Sequence, residues 1–433
     1  MARPRKNEPK PNTQELALVP VEEQPYPLPE GWKWVRLGSM AEIISKGTTP
    51  KGGKDAYEPS GVAFLRVENI NEDGTISHEN IVYVSTEQHT NFLKRSILED
   101  GDVLISIAGT LGRTGIVRSI DLPMNTNQAV SFVRLRKGFS NRYIRYFVNS
   151  PASQQLLLAQ TKVTSIPNLT LEIINNCPVP LPPLDVQERI VAHIEFLFAK
   201  LDEAKEKAEA VLDSYETRKA AILHKAFTGE LTAKWREERG VPKSDWKSVP
   251  FCQVAEVKSN LVDPADFQDL PHIAPDNIEK KTGRLLEYRT IAEDKVTSGK
   301  HRFYPGQILY SKIRPYLSKV VVIDFDGLCS ADMYPIEAKE DTKYLWYYML
   351  SEDFLEQASS AGSRSVLPKI NQKELSRITI HRPNLPEQQE ITRILDSLLE
   401  KEQQSKAAAE AVLEQIDLMK KAILAKAFRG ELG

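Results

Sequence analysis

Apolar and small residues recur at a regular spacing along two long stretches of the chain. From residue 190 to residue 222, positions alternately four and three apart hold Ile, Ile, Leu, Leu, Ala, Ala, Val, Tyr, Arg and Ile. The same spacing from residue 391 to residue 423 gives Ile, Leu, Leu, Glu, Ser, Ala, Val, Ile, Met and Ile. A mean spacing of about 3.5 residues is typical of a coiled-coil seam. The pattern predicts two long helices that pair along this seam.

The two helical stretches are copies of one another. When residues 184–231 are aligned without gaps to residues 385–432, 21 of the 48 positions are identical. At the same offset, weaker similarity reaches into the preceding segments, where Tyr143 aligns with Tyr344. Such a repeat predicts a pseudo-twofold arrangement in which each long helix follows a variable segment.

Each helical copy ends on nearly the same phrase, KAFTGEL at 225–231 and KAFRGEL at 426–432. One interpretation is a helix end, with a basic residue near the negative pole, an apolar anchor and a terminating glycine. A helix end alone does not explain why the remaining residues recur unchanged, whereas a partner that docks on both ends would explain it. Under this second interpretation the docking residues are Phe227, Glu230, Leu231, Phe428, Glu431 and Leu432.

The connection between the copies determines how the helices pair. A compact segment joins the end of the first helix to the start of the second, so the second helix runs back antiparallel to the first. At about 1.5 Å per residue each helix is roughly 50 Å long. The sequence therefore predicts an α+β fold with a pseudo-twofold internal repeat, in which two α+β domains are separated by a long antiparallel two-helix coiled coil.

The segments outside the long helices mix short strands with helices. VAFLRVENI, GDVLISIAG and AVSFVRLR are bounded by turn residues and predict strands, as do GQILYSKI and KVVVIDF further along the chain. NRYIRYFVNSPASQQLLLAQ and DTKYLWYYMLSEDFLEQASS predict helices. The expected division is a disordered N-terminal tail at 1–27, a first α+β domain at 28–183, a first spacer helix and linker at 184–240, a second α+β domain at 241–383 and a second spacer helix at 384–433.

Composition and charge exclude several classes of protein. At 433 residues the chain is too long for one compact domain, and its 41% hydrophobic and 27% charged residues are ordinary for a soluble protein. We find no apolar run long enough to span a bilayer and no secretory signal. The three cysteines are far apart in sequence, which favours the reducing cytoplasm over a disulfide framework or a zinc cluster. A net charge of −2 neither indicates nor excludes a polyanionic partner.

Catalytic motifs are not recognisable in the sequence. GTTPKGGK at 47–54 has Thr48 where a P-loop needs glycine, and GTLGRTG at 109–115 lacks the spacing of a dinucleotide site. The seven histidines show no metal-ligand spacing. We therefore expect a protein without catalysis, cofactor or metal of its own.

Several polar or glycine-rich loops carry residues that suit DNA. Arginine recognises guanine, asparagine and glutamine recognise adenine, and lysines and hydroxyl groups hold phosphates. The alternative interpretation is that these are ordinary solvated loops whose amides satisfy turns. The candidate DNA-binding residues are Lys46, Thr48, Thr49, Arg66, Asn69, Arg113, Thr114, Asn127, Gln128, Lys312, Arg314, Tyr316, Lys319 and Arg364.

Taken together, these features resemble a known family. LPEGWKWVRLGSMAEI at Leu28–Ile43, PLPPLDVQERIV at Pro180–Val191, KAFTGEL and the halved layout look like the specificity subunit of type I restriction–modification enzymes. The resemblance covers nearly the whole chain after the tail and is strongest in the helices.

The resemblance implies a function. Each α+β domain would be a target recognition domain for one half of a bipartite, asymmetric DNA site, and the helices would set the gap between the halves. Two methyltransferase subunits carrying S-adenosylmethionine, and restriction subunits using Mg and ATP, would bind this non-catalytic subunit. A rival interpretation is a scaffold with two protein-binding domains on a coiled-coil spacer, which the near-neutral charge also fits. The target sequence and the gap length do not follow from the sequence.

Overall fold

The structure is a computed structural model that describes residues 15–159, 168–361 and 368–432. The chain divides into two compact units. The first unit comprises residues 1–207 and 412–433, and the second comprises residues 208–411.

The first unit is built on a four-stranded and a three-stranded sheet. Its strands are β1 (Lys33–Arg36), β2 (Ala41–Lys46), β3 (Val62–Leu65), β4 (Val82–Val84), β5 (Val103–Ser106), β6 (Thr114–Ile116), β7 (Met124–Thr126), β8 (Val130–Leu135) and β9 (Pro178–Leu181). The four-stranded sheet is antiparallel with the order β2-β8-β5-β6, and the other sheet has the order β4-β3-β7 with β3 and β7 parallel. Strand β1 pairs with β9 in a separate antiparallel ladder.

Short helices connect the strands of the first unit. They are α1 (Leu37–Met40), α2 (Thr86–Thr90), α3 (Asn141–Val148), α4 (Pro151–Ala159) and α5 (Leu171–Asn176). Ser140 caps the N-terminus of helix α3, because its hydroxyl accepts a hydrogen bond from the Tyr143 N–H and so satisfies one of the free donors of the first turn. The Tyr143 hydroxyl donates to the Pro180 carbonyl at 2.6 Å, which fixes α3 to strand β9.

The long helix α6 (Leu184–Phe227) leads from the first unit into the second, which repeats the same plan. The helices that follow are α7 (Ala233–Arg239), α8 (Phe251–Val254), α9 (Thr342–Met349), α10 (Glu352–Ala361), α11 (Gln372–Leu375) and α12 (Leu385–Phe428). The strands are β10 (Lys247–Pro250), β11 (Ala255–Val257), β12 (Leu261–Val262), β13 (Pro271–Ile273), β14 (Arg289–Thr290), β15 (Lys300–Phe303), β16 (Ile308–Ser311), β17 (Val320–Val322), β18 (Gly327–Cys329), β19 (Met333–Ala338) and β20 (Thr379–Arg382).

The sheets of the second unit correspond to those of the first. An antiparallel sheet has the order β11-β19-β16-β17, a second sheet has the order β12-β15-β18-β13-β14, and β10 pairs with β20. Asp341 caps the N-terminus of helix α9, and the Tyr344 hydroxyl donates to the His381 carbonyl at 2.5 Å. Tyr344 and His381 lie 201 positions after Tyr143 and Pro180, so the two units repeat this contact.

Helices α6 and α12 are antiparallel in each unit. In the second unit Arg218 Nε is 2.8 Å from Glu402 Oε2, and the Tyr215 hydroxyl donates to Gln403 at 3.0 Å, so partner numbers rise as α6 residue numbers fall. The apolar seam predicted from the sequence is therefore interrupted by an ion pair between Arg218 and Glu402. The predicted α+β class with a long antiparallel helix pair is confirmed.

A buried ionic cluster ties the segment after α6 to the first turn of α12. The Glu387 side chain is fully buried, and it accepts hydrogen bonds from Arg236 Nη1 at 2.7 Å, the Thr232 hydroxyl at 2.7 Å and Trp246 Nε1 at 2.9 Å. The residue aligned with Glu387 in the first copy of the repeat is Val186, so this cluster belongs to the second unit alone among the two copies.

The predicted disordered tail at 1–27 is only partly outside the described residues, which begin at 15. From there the chain packs on the first unit. Val19 is 3% exposed, and its N–H donates to the Trp34 carbonyl at 3.0 Å. The Tyr26 ring lies edge-on to Trp34, and its hydroxyl donates to the Phe428 carbonyl at 3.1 Å. The proline-rich composition of this segment predicts disorder, but the apolar side chains of Val19 and Tyr26 anchor the segment to the first unit.

Candidate nucleic-acid interface

Three loops of the first unit meet at one edge of the four-stranded sheet. Strand β2 ends at Lys46, β5 ends at Ser106 and β8 begins at Val130. Ser106 lies opposite Val130, and Lys46 lies opposite Ser131, so these strand ends are adjacent. We call the loops at 47–50, 107–113 and 127–129 the first edge.

The second unit forms the corresponding edge from equivalent strands. Strand β11 ends at Val257, β16 ends at Ser311 and β19 begins opposite it at Met333. We call the loops at 258–260, 312–319 and 330–332 the second edge. GTLGRTG and SKIRPYLSK, which the sequence analysis selected separately, thus occupy equivalent β-hairpin positions.

Gly47 brings two loops of the first edge into direct contact. Its N–H donates to the Val130 carbonyl at 3.0 Å, and the next N–H, of Thr48, donates to the Thr126 carbonyl at 3.1 Å. A Cβ atom added at Gly47 would lie 2.0 Å from the Asn127 carbonyl oxygen. Only glycine fits this close approach, which places the Thr48 and Thr49 side chains beside the loop at 127–129.

Polar side chains of the first edge orient one another. Arg95 Nε donates to the Thr48 hydroxyl at 3.1 Å, and the Thr49 hydroxyl donates to the Gln128 side-chain carbonyl. Lys46, Arg95 and Gln128 are exposed. Together these residues border a cleft whose lining consists of Lys46, Gly47, Thr48, Thr49, Arg95, Ile107, Ala108, Gln128, Asn168, Leu169, Thr170 and Leu171.

The chemistry of this cleft suits a polyanion. Its described lining includes two cations, three threonine hydroxyls and two carboxamides, but no carboxylate. Threonines and lysines hold phosphates, whereas carboxamides also form paired hydrogen bonds with base edges. The Gln128 carboxamide keeps its NH₂ group available, because its oxygen accepts the hydrogen bond from Thr49.

Charge at the second edge is partly compensated. Lys312 Nζ donates to the Ala331 carbonyl at 2.6 Å and lies 3.7 Å from the Asp332 carboxylate, which Lys369 approaches to 3.2 Å. Arg314 and Tyr316 are exposed at the tip of the loop, and Arg314 adopts a left-handed backbone conformation with φ of 50°. The tip therefore presents one guanidinium group and one aromatic ring.

Some candidate residues have structural partners instead of open surface. Asn69 is 1% exposed, and its side-chain oxygen caps a turn by accepting the Arg66 N–H at 3.0 Å. Thr114 is 2% exposed on strand β6. Arg113 donates to the Ile70 carbonyl at 3.1 Å, and Lys319 donates to the Pro275 carbonyl at 2.7 Å.

The remaining candidates are two half-buried residues and one residue outside the described part of the chain. The Arg66 guanidinium donates to the Asn80 carbonyl at 3.0 Å and pairs with Glu68 at 2.6 Å. Asn127 is half-buried, and its side chain accepts the Ala129 N–H at 3.1 Å within its own turn. The predicted residue Arg364 lies outside the described residues.

Sequence reasoning missed three cations at these edges. Arg95 is far along the chain from Thr48, and no local motif marks it. Lys258 follows strand β11 directly, and Lys369 joins the second edge through a β-bridge with Ile313. The strand order, which the sequence did not supply, is the signal that brings them together.

The repeated KAFTGEL and KAFRGEL phrases complete the cores of the two units. Phe227 is 5% exposed and lies against Tyr344 and Tyr348, with ring centroids 5.5 and 4.8 Å away. Phe428 is 1% exposed and lies against Tyr143 and Phe147 at 5.2 and 5.3 Å. Packing within the chain therefore explains why the phenylalanines recur.

The other predicted docking residues flank these buried rings. Leu231 and Leu432 are half-buried against the cores, whereas Glu230 and Glu431 are exposed. Gly229 and Gly430 follow the helix ends with φ of 79° and 74°, as a glycine that terminates a helix requires. Docking of a partner at these ends stays a prediction.

Comparison with known proteins identifies the family. Residues 29–212 and 243–415 match the family model described as "Type I restriction modification DNA specificity domain". The chain belongs to this family. The resemblance seen in the sequence is thereby confirmed, and each copy of the specificity domain includes one candidate edge and the first part of one long helix.

Individual relatives of this specificity-domain chain agree. The EcoDI specificity subunit of Escherichia coli is 40% identical over 290 residues, which cover 62% of this chain and 65% of the relative. The EcoBI specificity subunit of the same species is 34% identical over 215 residues, covering 49% of this chain and 44% of the relative. The matched regions thus span less than two thirds of each of these relatives.

A solved structure shares the fold. The HsdS subunit from Thermoanaerobacter tengcongensis superposes with a TM-score of 0.66 at 20% identity, covering 94% of this chain and 99% of that one. In the described part of this specificity-domain chain, no helix is both long and apolar enough to cross a membrane.

Proposed function

We propose that this chain is the non-catalytic DNA-specificity subunit of a type I restriction–modification complex. In this proposal each unit recognises one half of a bipartite, asymmetric target. The supporting observation is that equivalent edges of equivalent sheets carry exposed cations with hydroxyl, amide or aromatic groups, although their loop sequences differ. One scaffold with two different loop sets suits two different half-sites.

At the first edge, we assign phosphate binding to Lys46 and Arg95 and base recognition to Gln128. The two cations are exposed beside threonine hydroxyls, an arrangement that suits phosphate oxygens. Thr49 holds the Gln128 carboxamide in one orientation, so less side-chain entropy is lost when it binds a base edge. Adenine is the base whose major-groove edge pairs with glutamine.

At the second edge, we assign base or backbone contact to Arg314 and Tyr316. Both side chains are exposed at the loop tip, and neither forms an ion pair in the described part of the chain. Lys312 and Lys369 share the Asp332 carboxylate, so they contribute less net positive charge there. Binding at this edge therefore depends on the tip more than on a basic surface.

Chemistry in this proposal is carried by other chains. Two methyltransferase subunits with S-adenosylmethionine would methylate adenine, and restriction subunits using Mg and ATP would cleave, in the cytoplasm. Glu230 and Glu431, exposed beside the buried ends of the helices, are the residues we assign to partner contact. Helices α6 and α12 run through both units and so serve as the spacer between half-sites.

A binding-site selection tests this function. The chain in complex with its methyltransferase partner is incubated with duplexes carrying randomised bases, and the bound duplexes are sequenced. We expect two defined half-sites separated by a gap of fixed length. The Gln128→Ala variant should relax one half-site by about 1–3 kcal/mol at one position and leave the other half-site unchanged. The exposed residue Gln155, which lies on α4 and outside the first edge, provides the matched control Gln155→Ala.

The selection also separates this function from the scaffold alternative. Enrichment of no sequence at moderate salt would favour a scaffold with two protein-binding domains. Relaxation of both half-sites by the single Gln128 substitution would contradict the assignment of one half-site to each unit.

A further inference from the structure

Lys219 is a buried lysine whose ammonium group contacts the second domain. It lies on α6 and is 8% exposed. Its Nζ donates to the main-chain carbonyl of Lys281 at 2.6 Å. Among the described residues Lys219 forms no ion pair, and burial lowers its pKa, although Glu216 and Glu279 oppose this shift. A buried ammonium is costly unless it makes a useful contact, so the hydrogen bond to Lys281 matters.

The backbone of Lys281 also forms hydrogen bonds with a loop of the second edge. Its own N–H is shared between the Leu317 carbonyl at 3.1 Å and the Ser318 carbonyl at 3.3 Å. The backbone of Lys281 adopts the left-handed conformation, with φ of 62°. Its carbonyl points toward α6, and its N–H points toward the loop at 312–319. One peptide segment thus joins the long helix to this loop.

The loop that receives the contact has an unusual backbone. A short turn at Pro315–Leu317 is flanked by Arg314 and Ser318, which have φ of 50° and 44°. Non-glycine residues rarely adopt this conformation, so surrounding contacts must hold it. The hydrogen bonds from Lys281 to Leu317 and Ser318 are such contacts, and Arg314 and Tyr316 project from the same turn.

The repeat supplies a natural comparison. Lys420 occupies the position on α12 that Lys219 occupies on α6. Its Nζ is 2.6 Å from the Asp202 carboxylate of α6 and 5.3 Å from the centre of the Phe198 ring. Lys420 therefore bonds the other helix instead of a domain loop.

We propose that Lys219 is a positioning residue that holds Arg314 and Tyr316 in orientation through the Lys281 peptide, and so determines specificity for the second half-site. This inference rests on the proposed function. Lys219 does not touch DNA itself in this account. Its contribution is to connect a rigid helix to a loop whose backbone would otherwise relax.

The first test measures the loop without DNA. In the Lys219→Met variant the aliphatic stem remains, but the hydrogen bond to Lys281 is lost. We expect hydrogen exchange of the peptide covering 312–319 to accelerate at least about tenfold, while the peptide covering 107–113 in the first unit keeps its rate. Lys219→Arg retains a donor and should restore most of the protection. Lys420→Met, the repeat-matched control, should leave the exchange of 312–319 unchanged.

The second test repeats the binding-site selection with these variants in complex with the methyltransferase partner. For Lys219→Met, base preference in one half-site should fall about tenfold at one or more positions, and the other half-site should be unaffected. Lys420→Met should return the wild-type preferences at both half-sites.

Four results would count against these ideas, and the last of them is distinguishable from the others. Unchanged exchange of 312–319 in Lys219→Met would overturn the positioning role. Faster exchange with an unaltered half-site, or equal weakening of both half-sites, would also overturn it. A wild-type complex that selects no sequence would instead refute the proposed function, and the exchange measurement would still decide whether Lys219 holds the turn.

Discussion

The Phe428 ring packs edge-on against the Tyr143 ring, with centroids 5.2 Å apart and planes at 71°. In the second unit Phe227 contacts Tyr344 in nearly the same way, at 5.5 Å and 77°. All four rings obey the offset of the internal repeat. The core of each unit therefore contains the C-terminal end of a long helix. This helix is α12 in the first unit and α6 in the second.

Removing either phenylalanine should destabilise one unit selectively. Phe428→Ala should lower the free energy of unfolding of the first unit by about 3–5 kcal/mol, and Phe227→Ala should do the same to the second unit, because each creates a cavity among aromatic rings. Calorimetry measures this loss of stability, as does limited proteolysis in which the fragments of each unit are followed separately. Phe196→Ala, at a residue 61% exposed on α6, is the control and should change stability little. Equal loss from both units in either core variant would contradict the packing.

Loss of the two cations at the first edge should weaken DNA binding in a salt-dependent way. A plot of log affinity against log salt has a negative slope. For the double variant Lys46→Ala/Arg95→Ala, this slope should become less steep by about 0.9 for each phosphate contact removed. Titration of a labelled duplex with the complex at several salt concentrations gives this slope. Lys33→Ala/Lys137→Ala removes the same charge from exposed residues outside the first edge. If this control variant lost as much slope, the site would lie elsewhere.

Breaking the buried ion pair between Arg236 and Glu387 should be costly. Arg236→Met leaves a fully buried carboxylate without its cation, and we expect a loss of about 3–5 kcal/mol in the unfolding free energy of the second unit. The double variant Arg236→Met/Glu387→Gln should recover part of this, because the carboxamide is neutral, its oxygen still accepts from Trp246, and its NH₂ group can donate to the Thr232 hydroxyl. Urea denaturation compares the two. Lower stability of the double variant than of the single one would contradict the explanation.

Acid should destabilise the second unit through His301. This side chain is 7% exposed and its Nδ1 has no hydrogen-bond partner, and burial, together with the nearby Lys312 charge, lowers its pKa. The unfolded chain then binds a proton more tightly than the folded one. Stability is therefore complete above about pH 6.5, the ordinary histidine pKa, and falls as the pH drops below it. Urea denaturation at pH 8 and pH 5.5 should show a smaller difference for His301→Gln than for wild type. An unchanged difference would exclude His301 as the cause.

The long helices could be predicted from the sequence because their periodicity is local and repeats over many turns. Their seam, their terminal glycines and their antiparallel course depend on residue spacing and chain connection alone. The ion pair of Arg218 with Glu402 appeared in the sequence as two departures from an apolar seam, and the structure shows that these two departures meet.

The edges were harder to predict, because they depend on strand order. The sequence marked Lys46, Gln128 and Arg314 as polar loop residues, but nothing local connects Arg95 to Thr48. The burial of candidate residues could not be predicted either. Asn69 lies in a polar segment, but its side chain is buried because it caps a turn. For the phenylalanines, repetition suggested an external partner, whereas a second copy of the same domain core accounts for it equally.

The closing of the first core by Phe428 affects how the protein is made. Tyr143 and Phe147 leave the ribosome about 280 residues before the side chain that covers them. During synthesis the apolar groove around Tyr143 and Phe147 therefore stays uncovered until Phe428 has been made. A chaperone bound to this groove would shield it from solvent. The second core lacks this delay, since Phe227 is already present when Tyr344 emerges.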